Sequence, residues 1–251
     1  AAAGALYTLG GRGRGGAVLP AVWRAALTAD GAYARWKTDR PLPVALADPA
    51  ALVAGDALIV AGGTGSARGA DRTLDQVWIA RVGGGGLGPW EPGPALPEPV
   101  FGAGLAAVGS RVYLVGGMGT AGHRAQVLCA ELRAGALSPW TPVTPLPVPL
   151  TSAAVVADGS YLVVIGGQSP GEGKTLVMPT VFVAPVFPDG SVSTWYLATS
   201  KLPGAWLGFG RSQTAAVARG GALFCFGGQD ALWFLLDTVC RSSFGAARGE
   251  V

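Results

Sequence analysis

The chain has 251 residues, half of them apolar, with 41 glycines and 19 prolines; that much apolar material excludes a disordered tract, and the glycine and proline describe short segments joined by tight turns. The net charge is only +3 and no basic stripe interleaved with aromatics occurs, so nucleic acid is not an expected partner; no stretch approaches the ~18 uncharged apolar residues of a membrane span, so no transmembrane segment is expected. One histidine, and three cysteines without Cys-x-x-Cys spacing, exclude multi-histidine and Cys-x-x-Cys metal sites.

Five related segments follow one another. The first, about 1–43, opens on the apolar run ALYTLGG (Ala5 to Gly11), whose end is the pair Gly10-Gly11; a polar loop with Arg12 and Arg14, a strand anchored on Val22, then Trp36 and Leu42-Pro43 complete it. The second, about 44–97, adds a small-residue strand, Ala50 to Ala54, which the dipeptide Gly55-Asp56 turns back into ALIVAGG with Gly62-Gly63; Arg68 and Arg72, Val77, Trp90 and Leu96-Pro97 follow. The third, about 98–147, repeats this with Leu105 to Val108, Gly109-Ser110, VYLVGG with Gly116-Gly117, His123 and Arg124, Val127, Trp140 and Leu146-Pro147. The fourth, about 148–203, has Ala153 to Ala157, Asp158-Gly159, YLVVIGG with Gly166-Gly167, Glu172 and Lys174, Val181, Trp195 and Leu202-Pro203. The fifth, about 204–251, has Thr214 to Ala218, Gly220-Gly221, ALFCFGG with Gly227-Gly228, Gln229 and Asp230, and Val239, and stops short of a tryptophan strand.

Short, almost uninterrupted apolar runs predict strands buried on both faces. Dipeptides such as Gly-Asp and Gly-Ser supply the positive φ of a two-residue hairpin turn, so first and second strands are expected to be antiparallel neighbours. The alanine-rich first strand suits the crowded interior of a radial array. The four tryptophans lie 54, 50 and 55 residues apart, and each is expected to pack between neighbouring repeats.

Apolar run, double glycine, strand, tryptophan and Leu-Pro at a period near 50 resemble the kelch repeat. The resemblance implies an all-β, kelch-type β-propeller of four-stranded antiparallel blades, with five repeats visible and the first and last incomplete. The expected organisation is one propeller domain over 1–251, part of a longer chain, with an unclosed edge where the incomplete repeats fall.

Several motifs that look like chemistry have a plainer reading. Gly11, Gly13 and Gly16 match the dinucleotide fingerprint, as do Gly83, Gly85, Gly88 and Gly117, Gly119, Gly122; the fingerprint must open a helix, and Pro20 with the Val22 strand follows the first match instead. Gly171 to Thr175 looks like the end of a P-loop, but Gln168 stands where the first glycine belongs and Pro179 leads into a strand, so a loop between second and third strands is expected. His123 is read as a solvated loop residue. Cys225 and Cys240 fall on neighbouring strands and are read as buried free thiols, with a disulfide as the alternative. Among enzymes sharing a kelch propeller, the copper oxidases imply a pair of histidines with a cysteine-crosslinked tyrosine, which a single histidine cannot provide.

The expected function is a non-catalytic binding or scaffolding module without cofactor, engaging protein partners, assembly neighbours or a glycan. Loops after the double glycines recur at one place in every repeat, so Arg12, Arg14, Arg68, Arg72, His123, Arg124 and Lys174 are expected on one face, where guanidinium groups would suit an acidic partner. A structural subunit of a large assembly is one alternative. A carbohydrate-active enzyme of the sialic-acid epimerase or sugar-oxidase kind is the other. The compartment is left open.

Overall fold

The computed structural model describes residues 4–67, 70–198, 210–219, 221–232 and 234–243. Arg68, Lys201, Leu202-Pro203 and Gly220 lie outside the described residues. Among those described, strands make up nearly all regular structure, and the one helical piece is the 3-10 turn Arg14–Gly16. Five small antiparallel sheets form the blades of a β-propeller.

A complete blade runs from an inner strand through second and third strands to an outer one. Blade 2 is the full pattern: Ala50–Ala54, Ala57–Ala61, Val77–Gly83 and Gly86–Pro92, hydrogen-bonded in that order. Blade 4 matches it with Ala154–Asp158, Tyr161–Ile165, Val181–Pro185 and Tyr196–Leu197. In blade 3, Gly104–Val108, Arg111–Val115 and Val127–Arg133 are followed by two short pieces, Ala136–Leu137 and Thr141–Pro142, that both pair with the third strand. Blade 1 shows Ala5–Leu9, Val22–Ala26 and Lys37–Thr38; blade 5 shows Ala215–Arg219, Ala222–Phe226 and Val239–Ser243. The apolar runs of blades 2, 3 and 4 are buried almost throughout, all of Ala57–Ala61 being inaccessible, whereas Ala5–Leu9 and Ala222–Phe226 are buried only in part.

Two sequence readings need correcting. The turn of blade 4 is Gly159-Ser160, one residue beyond the expected Asp158-Gly159, because Asp158 pairs with Tyr161. Glycine thereby takes the first turn position with φ 59°, as do Gly55 (59°) and Gly109 (60°). The polar segments after the double glycines, expected as loops, are hairpins in three blades: Thr64–Ala67 with Ala70–Thr73, Met118–Gly119 with Gly122–His123, and Gln168–Gly171 with Lys174–Val177. They carry no apolar alternation, and backbone pairing with a buried anchor such as Leu74 or Val177 sustains them.

Contacts group the chain into two compact units, Ala1–Gly102 with Ala130–Trp140, and Ala103–Cys129 with Thr141–Val251. In the first, Val22, Leu42 and Leu46 of blade 1 and its exit pack on Leu58, Val60 and Leu74 of blade 2. In the second, blade 3 packs on blade 4 through Tyr113, Val127, Leu150, Leu162 and Phe182, and blade 4 on blade 5 through Val163, Ile165, Leu223 and Cys225.

The double glycine joins successive blades inside each unit. Its first residue has φ between 57° and 67° and its second between 91° and 101° in all five copies. The second glycine's N–H donates to a carbonyl in the lead-in to the next blade's inner strand: Gly11 to Leu46 (2.7 Å), Gly63 to Val100 (2.8 Å), Gly117 to Leu150 (2.7 Å) and Gly167 to Arg211 (2.7 Å). A Cβ on Gly10, Gly62, Gly116 or Gly166 would collide with that same oxygen. Only glycine admits both the backbone angle and the approach.

The tryptophans form a second clasp. Nε1 of Trp90 donates to Arg40 O (3.3 Å), of Trp140 to Pro94 O (3.0 Å) and of Trp195 to Thr144 O (3.2 Å). Each acceptor stands four residues beyond the preceding blade's tryptophan. Trp140 and Trp195 are buried, Trp90 is half-buried, and Trp36 is 48% exposed.

Gly109 and Gly116 both have positive φ, but a Cβ on Gly109 meets open space while one on Gly116 meets Leu150 O. Gly109→Ala is therefore expected to cost about 1 kcal/mol from backbone strain, and Gly116→Ala at least about 2 kcal/mol more from the lost bond and collision; equal denaturation midpoints would contradict the inter-blade role. Trp140→Ala is expected to cost about 3 kcal/mol and Trp36→Ala much less, by the same measurement.

Candidate functional site

The loops following the double glycines and the lead-ins to the inner strands meet through these hydrogen bonds, so both lie at the same end of each blade. In the first unit, Arg12 is held by Asp71 at 2.7 Å and by Gly16 O at 3.3 Å. Both partners of that pair are 41% exposed, so it contributes less than about 1 kcal/mol. Its effect is to bind the loop after blade 1's double glycine to the hairpin of blade 2, and to neutralise one of the expected basic groups. Arg14 and Arg72 are exposed.

In the second unit, Lys174 is exposed on the hairpin of blade 4, while His123 and Arg124 are half-buried. Arg124 also works through its backbone: its N–H donates to Gly117 O (2.8 Å) and its carbonyl accepts from Leu150 N–H (3.0 Å). His123 is not the solvated residue the sequence suggested. It pairs with Met118 in the short hairpin, and its Nε2 is buried without a hydrogen-bond partner. Burial holds its pKa below the ordinary 6.5, so the folded imidazole is neutral at pH 7.

A set of residues that motif reading passes over occupies the lead-ins. Asp48, Gly102, Ser152 and Gln213 each stand two residues beyond the acceptor carbonyl, and have φ of 51°, 60°, 55° and 53°. In the first unit Gly102 N–H donates to Asp48 O (3.1 Å); in the second Gln213 N–H donates to Ser152 O (2.9 Å). Left-handed backbone costs a non-glycine residue on the order of 1–2 kcal/mol. Blade 3 meets this with glycine, whereas three other blades retain polar side chains, two of them exposed and Ser152 half-buried. The signal was present in the repeat register, two residues past Leu46, Val100 and Leu150, but only φ reveals its meaning.

Around Ser152 and Gln213 lie all the buried polar residues found among those described: Thr151, Ser169, Arg211 and Ser212. Gln168 Nε2 donates to Ser212 Oγ (3.2 Å). Arg211 takes the place that Leu46, Val100 and Leu150 hold elsewhere. Its guanidinium donates to Gly227 O (2.7 Å) and to Thr238 Oγ1 (2.8 Å), tying the last double glycine to the residue that precedes the third strand of blade 5. Its Nε has no acceptor, and no described carboxylate pairs with it. Cys225 nearby has its thiol pKa raised by burial, opposed by hydrogen bonds from Thr214 and Arg211. Cys225 and Cys240 face each other across the sheet as free thiols, and Cys129 is free as well.

Charged residues are sparse on the inner strands. In the second unit they are Asp158 and Arg219, both at the turn end, away from the double glycines; in the first, Ala50–Ala54 has none. No group of three or more histidine, cysteine, aspartate or glutamate side chains that could hold a metal occurs among the described residues. Nor is any described helix long and apolar enough to cross a membrane.

These features define a β-propeller with a polar set of lead-in residues. No family model matches the chain, and no curated protein matches it. Among solved structures, one described as "Structure of YjhT" superposes with a TM-score of 0.75 at 14% identity, over 98% of this chain and 80% of that one. At that identity the likeness establishes the fold alone.

The titration of His123 has a measurable sign. The unfolded imidazole takes up a proton near 6.5, above the folded pKa, so the stabilisation is complete above that pH and is lost as pH falls below it. The denaturation midpoint is expected to drop between pH 7 and pH 5, and His123→Gln to remove that portion of the slope; an identical slope in the variant would show that the ring is solvated.

Proposed function

We propose that this chain is a non-catalytic binding module of the kelch type, recognising a protein or glycan partner through the double-glycine ends of its blades. One observation carries the reading: Asp48, Ser152 and Gln213 keep polar side chains in a backbone conformation that glycine adopts without strain. Strain retained at the same register in three blades supports side chains kept for what they touch. Serine and glutamine each offer donor and acceptor capacity, which suits hydroxyl groups or exposed peptide. The basic residues Arg14, Arg72 and Lys174 are exposed at the corresponding loops and favour an acidic contact within such a partner.

The binding reading is tested by Ser152→Gly and Gln213→Gly, alone and together, in the whole chain. Each is expected to raise the melting temperature, by up to about 1 kcal/mol of stability as strain is released, while the pair lowers retention on a glycan array or on an immobilised acidic protein at least tenfold. Unchanged retention, or turnover of a free sugar by the purified protein, would defeat it.

A further inference from the structure

Cys225 on the second strand of blade 5 and Cys240 on the third are direct partners in the antiparallel register. Gly227 N–H donates to Thr238 O (3.1 Å), and an antiparallel ladder repeats every two residues, so Cys225 and Cys240 form a hydrogen-bonded pair with Cα atoms about 5.5 Å apart. That separation falls inside the range of about 4.4–6.8 Å that a disulfide spans. Both side chains leave the same face of the sheet, where they pack with Ala216 and Ala218 against Val163, Ile165 and Val181 of blade 4. The two sulfurs sense each other: a charge on Cys240 raises the pKa of Cys225.

The surroundings of Cys225 suit thiol chemistry. Thr214 Oγ1 lies 3.0 Å from its Sγ, and the guanidinium of Arg211 reaches the same sulfur. Burial raises the thiol pKa, and these two neighbours oppose the rise. Arg211 is buried and no described carboxylate pairs with it, so its charge is not cancelled and stabilises negative charge that develops on the sulfur. Cys129, on blade 3, has Thr141 rather than a cysteine opposite it.

We propose that Cys225 and Cys240 are a reversible thiol-oxidation site whose co-substrate is a low-molecular-weight disulfide. The half-buried Cys240 attacks one sulfur of that disulfide; a mixed S–S bond forms, the reagent's own S–S bond breaks, and the departing thiolate takes up the proton of Cys240. Cys225 then attacks the Cys240 sulfur, the mixed bond breaks, and a second thiolate leaves with the proton of Cys225. Two protein thiols are oxidised, and one reagent disulfide is reduced to two thiols. The new bond joins the second strand to the third and closes a ring containing Gly227-Gly228, Gln229 and Asp230, which restricts the loop at the double-glycine end of blade 5. The site stands whether or not that end binds a partner.

The probe is oxidised glutathione, incubated with the whole native chain. Thiols counted after denaturation are expected to fall from three per chain to one, peptide mapping to link Cys225 to Cys240 and leave Cys129 free, and dithiothreitol to restore all three. Cys225→Ser is expected to stop at glutathione bound to Cys240, whereas Cys129→Ser still forms the internal bond. Should Cys225→Ser fail to fold, the peptide map of the unaltered chain carries the test. Full retention of thiols in the folded chain, a lasting mixed disulfide in the unaltered chain, or a bond that involves Cys129 or a second chain would overturn the proposal.

Discussion

The hydrogen bond from the second glycine of each pair to the carbonyl leading into the next blade is the constraint on which the architecture depends. It requires two consecutive residues with positive φ, and the first must lack a Cβ because the neighbouring oxygen sits against its Cα. Once made, it holds the end of a second strand against the beginning of the following inner strand. The buried leucines and valines flanking it then meet at a fixed register, and the tryptophan clasp is brought within reach of its acceptor.

The same bond determines where polar chemistry can stand. Two residues past the acceptor the chain must turn in the left-handed region, which places Asp48, Ser152 and Gln213 at one register and permits Gly102 at the fourth. The loops beyond the double glycines lie beside these positions for the same reason, since both start from the two ends of one hydrogen bond. Arg211 extends the theme: a cation replaces the usual apolar residue, and its guanidinium secures the backbone of blade 5 from within.

How far the site was legible can be judged from single residues. Gly10 and Gly11 were readable as a repeating pair, and the backbone angles explain why the pair is required. The hairpins after them were not, because Thr64–Ala67 and Lys174–Val177 carry no periodic apolar signal and are stabilised by pairing that sequence pattern does not encode. Trp36 and Trp140 look alike in the repeat, yet one is 48% exposed and the other is buried with its Nε1 on Pro94 O, a difference that packing decides and repeat position does not. His123 looked like a solvated loop residue, and the short hairpin it joins removes its Nε2 from water.

By itself the sequence determined the unit of construction: apolar runs short enough to be strands, glycine pairs and Gly-containing turns where positive φ is needed, and a period that makes the units stack. Those properties are local, and local backbone preference with hydrophobic burial suffices to specify them. The tertiary structure alone decided which residues bear strain and which basic groups are already engaged. These depend on the distance of a side chain or carbonyl from residues some fifty positions away, and neither composition nor repeat register contains that distance.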